Sequence, residues 1–360
     1  MVNLLYTTLT SSLKVHFNLS NSRLITLCSL ILGFVQSRTV NLSHIASFIP
    51  GEALSASRYR RLQRFFQFVQ LESDHVAPLV LRLVNLSRPR CLALDRTNWK
   101  VGQKDINILM LSIVTRRFRL PLLWTLLDHR GNSNTAQRIA LMQRYLRLFD
   151  AASIEMLLAD REFIGHEWID FLCKNNIKFA IRMREDQHII LENGTIAYLG
   201  SWVKQRRASR IYLSIKGQLK GTKTMLTFLA KQTKTKEWLI IATNETHNPK
   251  RAIGRYRQRW GVECLFGDMK TRGFNLEDTR LTNKAKINTL LVVLTLAMTW
   301  GYACATRVQK LKSIRRKTHG RREKSFFRIG YDALRNWINL KPEKAANVWR
   351  QKCPKNKISI

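Results

Sequence analysis

Acidic residues are scarce in this chain: 24 Asp and Glu stand against 62 Lys and Arg, a formal net charge of +38 over 360 residues. An excess of one sign that is spread along the chain repels itself and calls for a polyanionic partner. Nucleic acid fits best, through phosphate neutralisation and counterion release, although a membrane surface or an acidic protein would also attract it. Paired cysteines are missing too. Cys28, Cys91, Cys173, Cys264, Cys304 and Cys353 include no C-x-x-C pair and no nearby His at zinc-ligand spacing, which excludes a zinc finger or ribbon and reads as reduced, intracellular thiols. The N-terminus lacks a basic stretch followed by an apolar core and a small-residue cleavage site, so the cytoplasm is the expected location. Long apolar runs are absent as well. The nearest, from Ile287 to Cys304, is interrupted by Asn288, Thr289 and Thr295 and falls short of the roughly 20 residues that span a bilayer, so it is expected to be a buried core helix. What remains is an ordinary 45% hydrophobic fraction, enough for a sizeable core in two or three domains.

Periodicity changes along the chain. Residues 1–85 read as helices, with apolar spacing through Leu24 to Val35 and Val40 to Ile49, a Pro50-Gly51 break, and a basic amphipathic stretch from Ser55 to Val69. The pair flanking the break resembles a helix-turn-helix. Its second helix carries Arg58, Arg60, Arg61 and Arg64 beside Phe65 and Phe66, a composition suited to a helix that docks its apolar side and turns its cations to a DNA groove. From Arg90 the pattern becomes strands: Cys91 to Leu94, Ile106 to Val114 and Leu120 to Leu127, then a helix from Asn134 to Phe149, a strand from Glu155 to Ala159, a helix from Gly165 to Lys174 and a strand from Lys178 to Arg182. This order predicts an α/β layer arrangement. Between 185 and 247 the helical signal gives way to alternating runs at Arg210 to Ile215, Met225 to Ala230 and Glu237 to Ala242, which predict an antiparallel insertion. A long helix is expected from Lys250. A basic segment, with ten Lys or Arg and one acid between Arg307 and Arg328, follows the apolar helix.

Two of the predicted strands end in Asp-Arg: Leu-Ala-Leu-Asp95-Arg96-Thr97 and Leu-Leu-Ala-Asp160-Arg161-Glu162. Ligands of open α/β sheets gather at the carboxyl ends of strands, where these acids are expected. A third acid, Glu263, lies in Tyr-Arg-Gln-Arg-Trp-Gly-Val-Glu-Cys-Leu-Phe-Gly-Asp-Met-Lys, residues 256–270. At about 100° per residue, Tyr256, Arg259, Glu263 and Lys270 fall at roughly 0°, 300°, 340° and 320°, one face of one helix. No basic residue follows Glu263 at 266 or 267, so the common Glu-to-Lys surface pairing does not explain it. Three carboxylates brought together repel one another unless a cation sits among them, and oxygen donors of this kind suit Mg²⁺ or Mn²⁺. A pair of such ions assists in-line phosphoryl displacement. Carboxylates in so basic a chain point to phosphodiester chemistry.

Asp95 in L-D-R-T, Asp160 in A-D-R-E-F and the spacing Y-x-x-R-x-x-x-E-x-x-x-x-x-x-K resemble the DDE transposases of bacterial insertion sequences, in the group named after insertion sequence four. The motifs cover about half the chain, residues 90–280. The resemblance implies an RNase H-like catalytic core with an antiparallel β insertion, preceded by a helical N-terminal domain. It divides the chain into a helical 1–85 region, core segments 86–184 and 248–306, the insertion 185–247 and a basic 307–360 segment. It assigns Asp95, Asp160 and Glu263 to catalysis and to binding two Mg²⁺ or Mn²⁺ ions. The implied activity is cleavage of transposon ends and joining of 3′ hydroxyls to a target, by a homodimer on double-stranded DNA. A nuclease of the same fold, or a decayed DNA-binding relative, is the competing reading.

The neighbouring residues acquire expected roles in that setting. Arg259 and Lys270 hold phosphates, Tyr256 hydrogen-bonds one, and Trp260 stacks on or wedges against DNA. Some relatives stack a flipped base on a tryptophan of the insertion, a part that Trp202 or Trp238 would take here. Glu162 either reaches the metal site through a water or pairs with Arg161. His129, His166 and His188 are isolated and are not expected as general bases. Gly267 is expected to let DNA or a strand approach closely.

Overall fold

The computed structural model describes residues 2–87, 90–205, 212–233, 235–311, 313–318, 320 and 322–352. Five helices open the chain: α1 (Val2–Leu13), α2 (Asn21–Ser37), α3 (Leu42–Ser47), α4 (Ser55–Phe68) and α5 (Ser73–Leu83). The first strands follow as β1 (Arg90–Val101), β2 (Lys104–Val114) and β3 (Arg119–Leu126), then α6 (Thr135–Leu148), β4 (Ile154–Ala159), α7 (His166–Lys174) and β5 (Phe179–Arg182). The 185–247 region supplies β6 (His188–Leu191), β7 (Ile196–Tyr198), α8 (Leu199–Lys204), β8 (Leu213–Leu219), β9 (Met225–Gln232) and β10 (Trp238–Thr243). Helices close the chain: α9 (Lys250–Tyr256), α10 (Trp260–Met269), α11 (Lys284–Leu311), α12 (Phe326–Leu340) and α13 (Pro342–Lys352).

All ten strands join in one sheet, in the order β3-β2-β1-β4-β5-β10-β9-β8-β6-β7. β1, β4 and β5 run parallel, and the other neighbours are antiparallel. The strands of the 185–247 region therefore extend the first sheet through the β5–β10 pair. Two strands and a helix there, β6, β7 and α8, go beyond the three runs expected from the sequence. Arg210 and its neighbour 211, the start of one of those runs, lie outside the described residues.

Side chains alternate across the sheet with a period of two. On one face, Leu92 and Leu94 of β1 and Leu157 of β4 enter a large apolar cluster that also takes in residues of α1–α7 and α11–α13. On the other face, Cys91 and Ala93 of β1 and Met156 and Leu158 of β4 pack with Ala252, Ile253, Tyr256 and Val262 of the α9–α10 segment. Continuing that alternation, Asp95 and Asp160 emerge on the α9–α10 side.

α11 is long and apolar enough to cross a membrane by length and composition, but 94% of its most apolar window is buried inside the protein. It contacts α2, α4, α5, α12, α13 and β3, which makes it the buried core helix expected from the sequence. Its approach to α12 is close: a Cβ on Gly330 would sit 2.0 Å from the Gly301 carbonyl oxygen, so glycine is required at that crossing. α6 begins with a reciprocal capping box between Asn134 and Gln137, as the Asn-initiated pattern predicts.

Candidate active site

The parallel β1–β4 register pairs Leu94 with Ala159, so the next residues, Asp95 and Asp160, stand at the same level on neighbouring strands. Asp160 follows the end of β4, as expected. Asp95 does not end its strand: β1 continues to Val101 in a long hairpin with β2. The carboxyl-end argument holds for the parallel ladder and fails for the antiparallel one.

The repeated Asp-Arg step has a local cause. In both copies the aspartate Oδ1 accepts the N–H of the following arginine at 2.8 Å. One oxygen is thereby fixed to the backbone, and Oδ2 is left facing α9–α10. Behind Asp160, the short 3₁₀ turn Arg161–Phe163 is pinned by the fully buried Phe163 ring. Arg138 of α6 stacks over that ring and donates to the carbonyls of Glu162 and Ile164 at 3.0 and 3.4 Å. The A-D-R-E-F motif is thus a clamp that holds one aspartate.

Glu162 pairs with Arg96 at 3.6 Å rather than with Arg161. Arg96 also donates to Asn107 at 3.0 Å and Asn132 at 3.3 Å. The residue after one aspartate is thereby tied to the residue two after the other.

The helix opposite is not the single continuous helix drawn from 100° spacing. α9 ends at Tyr256, a 3₁₀ turn covers Arg257–Arg259, and α10 starts at Trp260. The tighter turn changes the angular register, yet Arg259 and Glu263 remain one turn apart. Arg259 donates to Glu263 Oε1 at 2.7 Å and to Asp95 Oδ2 at 3.1 Å, and lies 3.8 Å from Asp160 Oδ2. One guanidinium is shared by three carboxylates. The basic partner of Glu263 therefore lies four residues before it.

Burial raises the Asp95 carboxyl to about 6, with Glu162 and Asp160 adding to the rise against the pull of the Arg96 amide and Arg259. Burial opposes the charge on Arg259, but the facing acids outweigh it and its pKa is raised.

The other expected site residues separate into two groups. Tyr256 is buried beneath Arg259, whose guanidinium lies 5.9 Å from its ring centroid, and burial pushes its phenol upward. Its hydroxyl belongs to the interior and not to an exposed phosphate site. Trp260 is 62% exposed at the start of α10, which suits a stacking surface and excludes a core role. Lys270 caps the end of α10, with its N–H on the Phe266 carbonyl, and its ammonium is taken by groups other than the three carboxylates. It pairs with Glu277 at 2.7 Å, donates to the Asn98 carbonyl at 3.2 Å and lies over Trp99.

Gly267 makes room for a protein side chain: a Cβ there would meet the Arg272 guanidinium at 2.1 Å. Trp202 is buried, and Trp238 packs partly buried against the core, so neither offers a free ring. His129 bonds with Gln137, His188 packs on Tyr198 and His166 lies under Gly221, which leaves the three histidines to local packing. In the N-terminal helices, Arg58 donates to the Gly51 carbonyl, bracing the turn, and Arg61 donates to Thr26 at 3.0 Å. Arg64 is exposed and makes no hydrogen bond or ion pair among the described residues.

Sequence reasoning passed over Glu155, Arg251 and Arg255. The β1–β4 register slips between Arg90–Ile154 and Cys91–Met156, leaving Glu155 unpaired in the ladder. A bulge re-aims its side chain, here toward α9, where Arg251 donates to it at 2.7 Å and Arg255 also pairs with it. The signal was present as Arg251, Arg255, Arg259 and Glu263 at four-residue intervals.

Asp95, Asp160 and Glu263 are hard oxygen donors held around one cation, a donor set that fits Mg²⁺ or Mn²⁺. Among the described residues no three His, Cys, Asp or Glu side chains close on a single ion as they stand, since Arg259 lies between these three. A metal here requires the guanidinium to withdraw. The comparison with curated proteins found no match. The family model described as a transposase DDE domain matches residues 86–300, more than half of the chain and all three carboxylates, and the chain belongs to that family.

Proposed function

We propose that this chain is the transposase of an insertion sequence in the group named after insertion sequence four, cutting and joining DNA by metal-dependent phosphodiester hydrolysis and strand transfer. The observation that carries the reading is the convergence of Asp95, Asp160 and Glu263 on Arg259, from two parallel strands and a facing helix inside the matched region. The strand order β3-β2-β1-β4-β5, with β1, β4 and β5 parallel, supports an RNase H-like core, and the antiparallel strands from 185 to 247 support an insertion into it.

Asp95, Asp160 and Glu263 would hold two Mg²⁺ or Mn²⁺ ions. Bound ions of this kind stabilise the attacking and leaving oxygens of an in-line displacement. This chain's residues supply the rest. The Asp-Arg steps orient two carboxylates, Arg259 trades its carboxylate partners for a DNA phosphate, and exposed Trp260 takes a stacking contact beside it. Helices of the 1–85 region present Arg61 and Arg64 to double-stranded DNA, and the basic 307–360 segment adds charge. Bringing two element ends together requires a homodimer on DNA, and the cytoplasm supplies the substrate.

Cleavage of a labelled duplex carrying the element's own end, with Mg²⁺, Mn²⁺ or EDTA, tests the reading on wild type and Glu263→Gln. The expected result is metal-dependent nicking and joining by wild type, lost in Glu263→Gln by roughly 1,000-fold or more while duplex binding persists. Nicks without joined products would instead identify a nuclease. Tight binding without cleavage by wild type would identify a DNA-binding relative.

A further inference from the structure

Two clefts flank α4 on the N-terminal helices, and they differ in kind. The first, about 590 Å³, lies between the start of α2 and α4 and is lined by Arg23, Arg60, Arg61 and Arg64 with no acid among its lining residues. Arg23, Arg60 and Arg64 make no hydrogen bond or ion pair among the described residues. This is a polar trough for a phosphate backbone.

The second cleft, about 540 Å³, opens on the other side of Arg64 and Phe68, residues that line both. Its aromatic lining is Tyr59 and the exposed Phe68 of α4 over the buried Phe66, and the rest comes from Val40–Leu42 and from the segment Thr279–Leu281 that leads into α11. Gln63 and Gln67 add amides, Arg64, Arg280 and Lys286 add three cations, and again no acid lines it. Phe68 is 64% exposed, which leaves its ring accessible at the junction of the two clefts. Arg280 is exposed and unpaired among the described residues, and Lys286 reaches Gln67 at 2.8 Å.

We propose that this second cleft holds an unpaired nucleotide of a DNA strand whose backbone continues along the arginine trough. The aromatic wall matches the face of a base, which any base can stack on. The amides match the hydrogen-bonding edges of a base, and the cations match the phosphate on either side of it. The volume lies in the range of small-ligand pockets. An acidic peptide would satisfy the cations and leave the aromatic wall uncovered. A duplex would satisfy the trough, but its bases are stacked and paired and cannot enter a side cleft. The Thr279–Leu281 segment is fastened where it begins: Glu277, two residues before Thr279, pairs with Lys270, and Asp278 accepts from Thr39 ahead of α3. The inference rests on the reading of the chain as a DNA-processing enzyme and deepens it, since it specifies a single-stranded segment within the DNA bound.

The test uses the full chain in EDTA, with fluorescence anisotropy on a blunt 30-base-pair duplex and on the same duplex carrying a three-nucleotide 2-aminopurine tail. Wild type is expected to favour the tailed duplex by roughly tenfold, about one stacked base, and to change the 2-aminopurine emission. Tyr59→Ala and Arg280→Ala, at residues that line the second cleft and not the trough, should each abolish the preference and the emission change while blunt-duplex affinity stays within about twofold. Phe48→Ala, an exposed aromatic outside both clefts, should change neither. A preference that survives both cleft substitutions, or equal losses on blunt and tailed DNA, overturns the proposal. Displacement of the tail by equimolar dAMP overturns the strand as the source and assigns the cleft to free nucleotide. Binding is read without metal, so a wild type that fails to cleave element ends would sink the transposase reading and leave this result standing.

Discussion

The two ends of the α9–α10 segment carry opposite charge arithmetic on the same four-residue ladder. At the lower end, one carboxylate, Glu155, is held by two guanidiniums, Arg251 and Arg255. Burial pushes its pKa upward, but the arginines outweigh it and hold it below the usual carboxylate value. At the upper end, three carboxylates share the single guanidinium of Arg259, and Asp95 is pushed up to about 6. The lower carboxylate is more than neutralised within the protein, and its cluster serves as a fastening. The upper one is short of positive charge, which is the condition of a site that awaits cations. Surplus and deficit lie on one helical segment, so the first sets where the second sits.

Removing the cation that the upper end does possess should have the largest effect. Arg259→Gln leaves Asp95, Asp160 and Glu263 facing one another and removes the group proposed to meet phosphate. Single-turnover cleavage of the element end is expected to fall by roughly 100-fold or more. Melting temperature without metal should drop and should recover more on Mn²⁺ addition than wild type gains, because the ion replaces the missing charge. A cleavage rate within about threefold of wild type would show that Arg259 only fills space.

Breaking the lower end separates fastening from chemistry. Glu155→Gln keeps the shape of the side chain and removes the charge shared by Arg251 and Arg255. Its side chain is 16% exposed, so the loss of two charge-assisted bonds should lower stability by about 2 kcal/mol in urea unfolding. Cleavage should fall by less than tenfold, since no atom of Glu155 reaches the carboxylates in the present contacts. A large catalytic loss at unchanged stability would contradict this division.

The comparison also shows which parts of the molecule the sequence carries openly. Strand alternation in Cys91 to Leu94 and Glu155 to Ala159, bounded by Asp-Arg, was sufficient to bring Asp95 and Asp160 together, because a parallel pair of buried strands puts equivalent positions side by side. Arg259 and Glu263 were legible because four-residue spacing survives a 3₁₀ turn. The partners of Lys270 were not, because Glu277 and the Asn98 carbonyl lie outside its helix and reach it only through the tertiary fold. Glu155 was hidden for another reason. Its alternation places it on the opposite face, and only the register slip beside Cys91, a property of two strands together, turns it toward α9. The second cleft is formed by α4 and a segment more than two hundred residues later, a juxtaposition that no local pattern encodes.

The second acid on the α9–α10 segment gives the smallest effect and tests whether charge deficit alone marks a functional group. Asp268 is 6% exposed on α10, its Oδ2 lacks a hydrogen-bond partner, and burial raises its pKa to about 6 against the pull of Arg272 and Arg119. It lies 3.5 Å from Arg272 and touches neither Arg259 nor the other carboxylates in the present contacts. The folded-state value lies above the ordinary aspartate value of 3.8. Below that value both states are protonated and ionisation costs the fold nothing; as pH rises to about 6 the unfolded chain ionises first, so wild type loses stability across that window and the loss is constant above it. The interval from 3.8 to about 6 sets an upper bound of about 3 kcal/mol, and relaxation of the neighbouring arginines reduces the expected effect to about 1 kcal/mol. Asp268→Asn lacks this titration. Its stability relative to wild type, measured by urea unfolding, should therefore rise by about 1 kcal/mol between pH 4 and pH 7, with cleavage within about twofold of wild type. A strong catalytic loss in Asp268→Asn at unaltered stability would extend the reactive cluster beyond the three carboxylates that share Arg259.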